Sequence, residues 1–240
     1  MSQPFSLTRH LSSLTESQSY TSATQHPFLR AAGDGTLSKN LLSFWLSQDR
    51  IYAAHAYPKF IGSLIANIPF SSSDLSSTNT SEALNQRVLQ MLSACLTNVV
   101  REVNFFHETS AKWDLKLDGW EERKGTRDYT AEMTRISANG RIEDGLVFLW
   151  AMEKVYLDAW TFVRNHSNSD PAVTALAQNW SSPEFVQFVD ALGDLADSFA
   201  TSKGIEPDRN PEACKRAEEI WNRVVELEIG FWPEFGEEGK

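Results

Sequence analysis

The sequence predicts an all-α fold, a single-domain helical bundle that spans residues 1–240. Three observations lead to this prediction. Apolar residues recur at intervals of three and four along most of the chain, which is typical of amphipathic helices. Alternating apolar and polar positions, which would indicate strands, are absent. Internal repeats and shifts in composition, which would indicate several domains, are absent as well.

Four helices are predicted in the first half of the chain. Their ranges are about 5–16, a short helix whose later part is about 22–33, about 38–66 and about 82–113. A Gly-Asp-Gly turn precedes the third of these helices, so Thr36 or Ser38 is its candidate N-cap. That helix should stop before Pro69. The Ser- and Thr-rich stretch 69–82, "PFSSSDLSSTNTSE", is predicted to be a surface loop.

Five more helices are predicted after a charged connection at 114–128. Their ranges are about 128–138, about 143–166, about 171–180, about 183–203 and about 210–235. Asn139-Gly140 is the stop signal between the first two. Proline suits the first turn of a helix, since its missing N–H would be unpaired there anyway. Prolines of this kind are Pro171, Pro183 and Pro211.

Composition and charge exclude several classes of protein. The formal net charge of −10 argues against binding to nucleic acid or to anionic lipid, which both require clustered Lys and Arg. The sequence contains no run of about 18 apolar residues, so we predict no membrane span. We also predict no secretory signal at the N-terminus. Cys95 and Cys214 lie far apart and form no metal-type pair, so each is expected to be a reduced thiol. We therefore expect a cytoplasmic protein without nucleic-acid or membrane partners.

Carboxylates occupy apolar stripes on three predicted helices. The stripe around "FWLSQDRIY" consists of apolar or aromatic residues except for Asp49. Its members are Leu42, Trp45, Leu46, Asp49, Tyr52, Ala53, Ala56 and Phe60. On the last helix, Glu228 is followed by Phe231 and Trp232 at helical spacing. Glu153 lies among apolar residues too, although its helix is apolar nearly all round and its orientation stays open.

An acid on an apolar stripe has two interpretations. Charged side chains are almost never fully buried unless they are paired or neutralised. Three of them indicate a polar internal network or a cavity that holds a polar ligand, whereas a single one can also be a structural hydrogen-bonding residue. Acids in a dry aromatic pocket can recognise the nitrogens of a flat heterocycle and transfer protons. The aromatic residues that could line such a pocket are Trp45, Tyr52, Tyr129, Trp150, Tyr156, Trp180, Phe231 and Trp232.

Three stretches of the chain resemble a known family. "HPFLRAAGDGTLSKNLLSFWLSQDRIY" resembles the N-terminal signature of the TenA/thiaminase II family. "TRDYTAEMTRISANGRIEDGLVFLWAMEKVY" and "LEIGFW" are similar to its middle and C-terminal signatures, in the same order. The resemblance covers nearly the whole chain and implies a haem-oxygenase-like all-α fold. It also implies a pocket for aminopyrimidines and related fragments of thiamin.

The resemblance also assigns roles to individual residues. It implies that Asp49 contacts the amino group and ring nitrogen of a pyrimidine and that Tyr52 shapes the pocket beside it. Tyr129 and Tyr156 match two further pocket tyrosines, and Glu228 matches an acid that shuttles protons. The apolar stripes indicate Asp49 and Glu228 independently of the family.

The chain departs from the better-known branch of this family at two positions. Met152 stands where that branch carries a nucleophilic cysteine, and Trp180 replaces a pocket tyrosine. A thioether cannot form the thiolate needed for addition to the ring. The acid Glu153 is then the natural candidate to act with Glu228 on an activated water. We expect a salvage hydrolase for an amino- or formylamino-pyrimidine; the alternative is a non-catalytic protein that binds pyrimidines or thiamin fragments.

The sequence gives weaker support for haem or metal binding than for a pyrimidine pocket. A haem oxygenase would need an early axial histidine, and the surroundings of His10 and His26 resemble the TenA family instead. A di-iron centre would need Glu-x-x-His pairs, and none stands out. Four acids could together chelate a hard ion: Asp49, Glu102, Glu153 and Glu228. We nevertheless predict no metal and no cofactor, and we expect a homo-oligomer, either a dimer or a tetramer.

Overall fold

A computed structural model describes residues 5–14, 18–72, 80–166 and 170–239 of the chain. Within these ranges the protein consists of α-helices, a π-helical turn and one short 3-10 turn, and it contains no strand. The predicted all-α fold is therefore confirmed. No helix of the described ranges is both long enough and apolar enough to cross a membrane.

The helices are numbered here in chain order. They are α1 (Leu7–Ser13), α2 (Gln18–Thr24), α3 (Pro27–Gly33), α4 (Lys39–Ile51), α5 (Tyr57–Ala66), α6 (Thr80–Trp113), α7 (Lys124–Ala138), α8 (Ile142–Arg164), α9 (Pro171–Trp180), α10 (Pro183–Lys203) and α11 (Pro211–Phe231). The π-helical turn, Tyr52–Ala56, joins α4 to α5 without a break, and the 3-10 turn, Glu237–Gly239, follows α11.

Side-chain caps and prolines set most of the helix starts. The hydroxyl of Ser38 accepts a hydrogen bond from the backbone N–H of Leu41, so Ser38 rather than Thr36 caps α4. The predicted starts at Pro171 and Pro183 are confirmed, and α11 begins at Pro211 after its cap, Asn210.

Several predicted boundaries were wrong. The second predicted helix is two helices, because Pro27 cannot donate a backbone hydrogen bond and starts α3 anew. The connection predicted at 114–128 ends earlier, since α7 begins at Lys124. The last helix ends at Phe231 rather than near 235, just before Pro233. The middle of the predicted loop, residues 73–79, lies outside the described residues, and so does the end of the first predicted helix, at 15–17.

Helix α8 lies at the centre of the bundle. It packs against α2, α3, α7, α9, α10 and α11, and residues on all of its sides are buried. A helix that is surrounded in this way carries apolar residues all round. This explains why the sequence could not predict which neighbours Glu153 faces.

Helices α7 and α11 meet at two glycines. A Cβ atom added to Gly125 would lie 1.9 Å from the carbonyl oxygen of Gly230, so only glycine permits this approach. The neighbouring Arg123 donates hydrogen bonds from Nη1 to the carbonyl oxygens of Gly230 and Phe231, at 3.2 and 2.7 Å. The guanidinium thereby satisfies carbonyl groups that the end of α11 leaves unpaired. The contact fixes the C-terminal turn of α11 against the first turn of α7.

The two glycines should respond to alanine in opposite ways. We expect Gly125→Ala to lower the free energy of unfolding by roughly 2 kcal/mol or more, because the new methyl group overpacks the contact. Gly230→Ala places its methyl group in open space on a helix, so it should raise stability by about 0.5–1 kcal/mol. Urea unfolding of the two variants beside the wild type measures both values. Equal effects of the two substitutions would contradict this close approach.

Candidate active site

A cavity of about 220 Å³ lies between α4, the π-helical turn, α6, α7, α8, α10 and α11. An apolar cavity of roughly 150 Å³ can hold benzene, so this one has room for a substituted six-membered ring. It brings together nine of the twelve residues that the sequence nominates for a ligand pocket. They are Asp49, Tyr52, Tyr129, Met152, Glu153, Tyr156, Trp180, Glu228 and Phe231.

Two acids of the cavity each accept a hydrogen bond from a tyrosine. The hydroxyl of Tyr156 on α8 donates to Oδ2 of Asp49 on α4 at 3.0 Å. The hydroxyl of Tyr129 on α7 donates to Oε1 of Glu228 on α11 at 2.6 Å. Asp49 and Glu228 are only 4% and 2% exposed, so these bonds replace water that burial has removed.

Two further acids repeat the arrangement. The hydroxyl of Tyr57 donates to Oε1 of Glu153 at 2.9 Å. The indole Nε1 of Trp180 donates to Oε1 of Glu102 on α6. Four carboxyl groups of the cavity thus each have a neutral aromatic donor as a hydrogen-bond partner. A fifth, that of the exposed Glu184, also lines the cavity.

None of these four carboxyl groups forms an ion pair with a described residue. Burial therefore dominates their titration, because it disfavours the charged form. Desolvation raises the pKa of Glu153 and of Glu228 to about 8 and that of Glu102 to about 7. Desolvation, reinforced by the charge of Glu102, raises the pKa of Asp49 well above its ordinary value. The acids are therefore poised to bind or release protons near neutral pH.

One carboxylate oxygen of the cavity is not used by the protein. Oε2 of Glu228 is buried and has no hydrogen-bond partner among the described residues. Its other oxygen, Oε1, is held by Tyr129. Unpartnered buried oxygens are costly in a folded protein and are found where a ligand or a water binds. Glu228 can therefore offer Oε2 to a bound molecule while Tyr129 fixes its orientation.

Tyr52 forms an aromatic wall of the cavity with two neighbours. Its ring centroid lies 5.3 Å from that of Tyr129 and 5.7 Å from that of Phe231. Its hydroxyl donates to the sulfur of Met152 at 3.5 Å, a weak bond that leaves its oxygen free to accept. The three rings provide flat apolar surface beside the acids.

The π-helical turn determines which side chains of this segment reach the cavity. The backbone N–H of Tyr57 bonds to the carbonyl oxygen of Tyr52, five residues earlier. In a regular α-helix Tyr57 would be rotated by roughly 80° from Asp49, since each residue turns the chain by about 100°. The wider turn brings Tyr57 back towards the face of Asp49, where it meets Glu153. Such π-helical insertions occur frequently at functional sites.

Three nominated tryptophans, Trp45, Trp150 and Trp232, do not line the cavity. Trp45 is fully buried, and its ring contacts Trp160, Trp180 and Trp232 at centroid distances of 5.2–5.9 Å. Trp150, another aromatic candidate, stacks on Trp221 elsewhere in the core. Both belong to the aromatic packing that supports the bundle.

The sequence did not nominate several polar side chains of the cavity, among them Tyr57 and Cys95, and it indicated Glu102 only as a possible ligand of a hard ion. Regular helical spacing places Ala56 rather than Tyr57 on the stripe, and only the π-helical turn changes this. Cys95 was part of an apolar stripe and carried no further signal. Glu102 is framed by Val99, Val103 and Phe106 at helical spacing, so the stripe argument applied to Asp49 would also have found it.

Replacing Glu153 by glutamine should flatten the dependence of stability on pH. Folded Glu153 keeps its proton up to a pKa of about 8, whereas the unfolded glutamate releases it near the ordinary value. The free energy of unfolding must fall as pH rises between these values, by at most about 1.4 kcal/mol per pH unit for one group. Glu153→Gln keeps the acceptor for Tyr57 and removes this contribution.

Urea unfolding between about pH 5 and pH 9 measures how the free energy of unfolding depends on pH. Glu108→Gln is the control, because Glu108 is exposed on α6. The control should follow the wild type over the whole range. A wild-type slope in Glu153→Gln would show that Glu153 already ionises in the folded protein at low pH.

Several solved structures have a similar fold. A TenA homologue from Pyrococcus furiosus has a TM-score of 0.78 and is 21% identical, with 94% of this chain and 98% of that chain covered. A putative TenA-like thiaminase from Sulfolobus solfataricus has a TM-score of 0.65 and is 17% identical, with 94% of each chain covered. At these identities the likeness concerns the fold.

One relative of this chain is a longer protein. A protein called a probable transcription factor, from Fusarium pseudograminearum (strain CS3096), is 25% identical over an alignment of 272 positions. The alignment covers 97% of this chain and 52% of the relative, so the chain spans about half the length of that protein. The sequence profile of the TENA/THI-4/PQQC family matches residues 15–237. The chain therefore belongs to the TENA/THI-4/PQQC family and has its haem-oxygenase-like all-α fold.

Proposed function

We propose that this protein is a salvage hydrolase for a thiamin-related amino- or formylamino-pyrimidine, which uses water as the nucleophile in place of a cysteine. Membership of the family supports a thiamin-related role. The observation that carries the proposal is a set of four desolvated carboxyl groups around one cavity. Those of Asp49 and Glu228 are buried, those of Glu102 and Glu153 are half-buried, and none forms an ion pair within the described chain.

Asp49 is the residue proposed to recognise the pyrimidine. An aminopyrimidine presents an N–H donor beside a ring-nitrogen acceptor, and a carboxyl group can pair with both at once. A buried aspartic acid with a raised pKa carries the proton that the ring nitrogen needs. The bond from Tyr156 holds this carboxyl group in place, and the rings of Tyr52 and Phe231 offer surface for stacking.

Glu153 and Glu228 are the residues proposed to transfer protons. Each charge disfavours ionisation of the other acid, so around neutral pH one of them can be ionised while the other keeps its proton. The ionised acid takes a proton as water attacks the ring carbon that bears the amino group, or the formyl carbon. The protonated acid gives its proton to the leaving amine. Water is consumed, and ammonia or formate is released with the second product.

The sulfur groups of the cavity are not suited to covalent catalysis. Met152 carries no ionisable proton and cannot become a nucleophile at neutral pH. Burial, assisted by the charge of Glu153, raises the pKa of the Cys95 thiol to about 12. Because the thiolate is the reactive form, Cys95 is not a nucleophile in this proposal.

A non-catalytic pyrimidine-binding protein is the second candidate. Two observations favour it: Met152 stands at the position where the resemblance implies a cysteine, and the curated relative is called a probable transcription factor. The interaction between Glu153 and Glu228 favours the hydrolase, because a pocket that only binds a ring has less use for two coupled acids.

The first experiment is a thermal-shift titration of the pure protein with a panel of aminopyrimidines, formylaminopyrimidines and thiamin. Release of ammonia and of formate is measured with each compound. Stabilisation together with release of either product is the expected result. Stabilisation without a product would support the binding protein instead, and no stabilisation by any compound would overturn both functions.

Asp49 and Glu228 should separate binding from turnover. We expect Asp49→Ala to abolish stabilisation by the pyrimidine, since it removes the recognition group. Glu228→Gln keeps an acceptor for Tyr129 but cannot take or give a proton, so kcat should fall by about 10²–10⁴-fold with a small change in binding. Steady-state kinetics and thermal shifts measure the two effects. Equal losses of binding and turnover in Glu228→Gln would assign Glu228 to binding.

The variant Cys95→Ser tests whether the reaction proceeds without a cysteine nucleophile. Cys95→Ser keeps a small polar group in the cavity wall and removes the sulfur. We expect kcat within about threefold of the wild type, because a thiol with so high a pKa takes no part in the attack. Loss of turnover in Cys95→Ser with intact binding would show that the thiol is the nucleophile after all.

A further inference from the structure

We propose a transition-metal site, suited to Zn²⁺, at the contact between α1 and α11, formed by His10, Cys214 and Glu218. The site is independent of the cavity and of the proposed reaction. It departs from the sequence-based expectation of no metal, because only the fold brings His10 to a cysteine that is distant in the chain.

The three side chains converge on one point. Cys214 and Glu218 lie one turn apart on the same face of α11, and His10 lies in the last turn of α1. Nε2 of His10 is 2.7 Å from Oε1 of Glu218, and Sγ of Cys214 is 3.9 Å from the same oxygen. One ligand atom from each residue lies within 4.8 Å of both others. Ligand atoms of a tetrahedral zinc site lie about 3.5 Å apart, so small shifts would complete the geometry.

The kinds of donor indicate which metal would bind. A thiol and an imidazole are borderline or soft ligands that favour Zn²⁺ over Mg²⁺ or Ca²⁺. Cys214 is buried, whereas His10 and Glu218 are partly exposed, so water can complete the coordination from the solvent side. Burial, with the charge of Glu218, raises the pKa of the Cys214 thiol. Coordination must displace this proton, which makes binding stronger at higher pH.

An ordinary hydrogen bond between His10 and Glu218 would explain part of this arrangement but not the cysteine. The other cysteine of the chain, Cys95, lies beside Tyr57 in the cavity wall, which contains no histidine among the described residues. Throughout the described ranges, no other three His, Cys, Asp or Glu side chains bring their ligand atoms equally close. A mixed set of three donor types from two helices is typical of zinc sites rather than of a solvated acidic surface.

The site would act on stability rather than on the reaction. Glu218 precedes Glu228 by ten residues on α11, so the metal would lie about 15 Å along the helix axis from the cavity. It would join α1, near the beginning of the described chain, to the last long helix. Metal binding to the folded state alone adds to the free energy of unfolding in proportion to the logarithm of metal concentration.

The test uses the full chain after removal of metals by a chelator. Zn²⁺ is titrated in competition with a chromogenic chelator, and thermal unfolding is followed with and without Zn²⁺. Co²⁺ serves as a spectroscopic probe, because a thiolate ligand gives it a charge-transfer absorption in the near ultraviolet. The variants are His10→Ala and Cys214→Ser, and the controls are His107→Ala, on the exposed face of α6, and Cys95→Ser.

The wild type and both controls should bind about one equivalent of Zn²⁺ and unfold at higher temperature with it. His10→Ala should weaken binding at least about tenfold, and Cys214→Ser should also remove the cobalt charge-transfer band. Circular dichroism of each metal-free variant verifies that it is folded. Absence of equimolar Zn²⁺ binding by the wild type would overturn the proposal, and so would wild-type binding by His10→Ala combined with Cys214→Ser.

Discussion

The removal of four carboxyl groups from water without an ion pair to any of them is the constraint on which the rest of the site depends. Charged carboxylates in such a place would cost several kcal/mol each, so their pKa values are raised and the fold supplies one neutral aromatic donor to each. An aliphatic core could not do this, whereas tyrosine and tryptophan combine apolar rings with a hydrogen-bond donor. The aromatic richness of the chain and its buried acids are therefore two aspects of one arrangement.

The scaffold holds these donors by close helix contacts rather than by ion pairs. The meeting of α7 and α11 at Gly125 and Gly230 lies one turn from Tyr129 and close to Glu228, so backbone packing fixes that hydrogen bond. The π-helical turn plays the same part for Tyr57 and Glu153. Precise placement of this kind comes from rigid elements, which favours a site that must orient proton donors and acceptors.

Much of the fold could be predicted from the sequence because its periodicity and prolines are local signals. The positions of Asp49 and Glu228 on apolar stripes also predicted correctly that both side chains are buried. The orientation of Glu153 could not be predicted, since α8 carries buried apolar residues on nearly all of its sides. Tyr57 was missed because a π-helical turn leaves no periodic trace, and the meeting of His10 with Cys214 was missed because it depends on tertiary packing.

The hydrogen bonds of the acids also have a consequence for how the protein forms. Their partners are separated by 78 to 107 residues along the chain, and Glu228 lies near the end of the last long helix. Contacts of this range form slowly, because the intervening chain must first be ordered. During synthesis the earlier helices emerge with Tyr129 and Asp49 already present, while the wall that contains Glu228 is still missing. The cavity is thus completed only once α11 has been synthesised, and a nascent chain lacking α11 would expose its aromatic interior to chaperones.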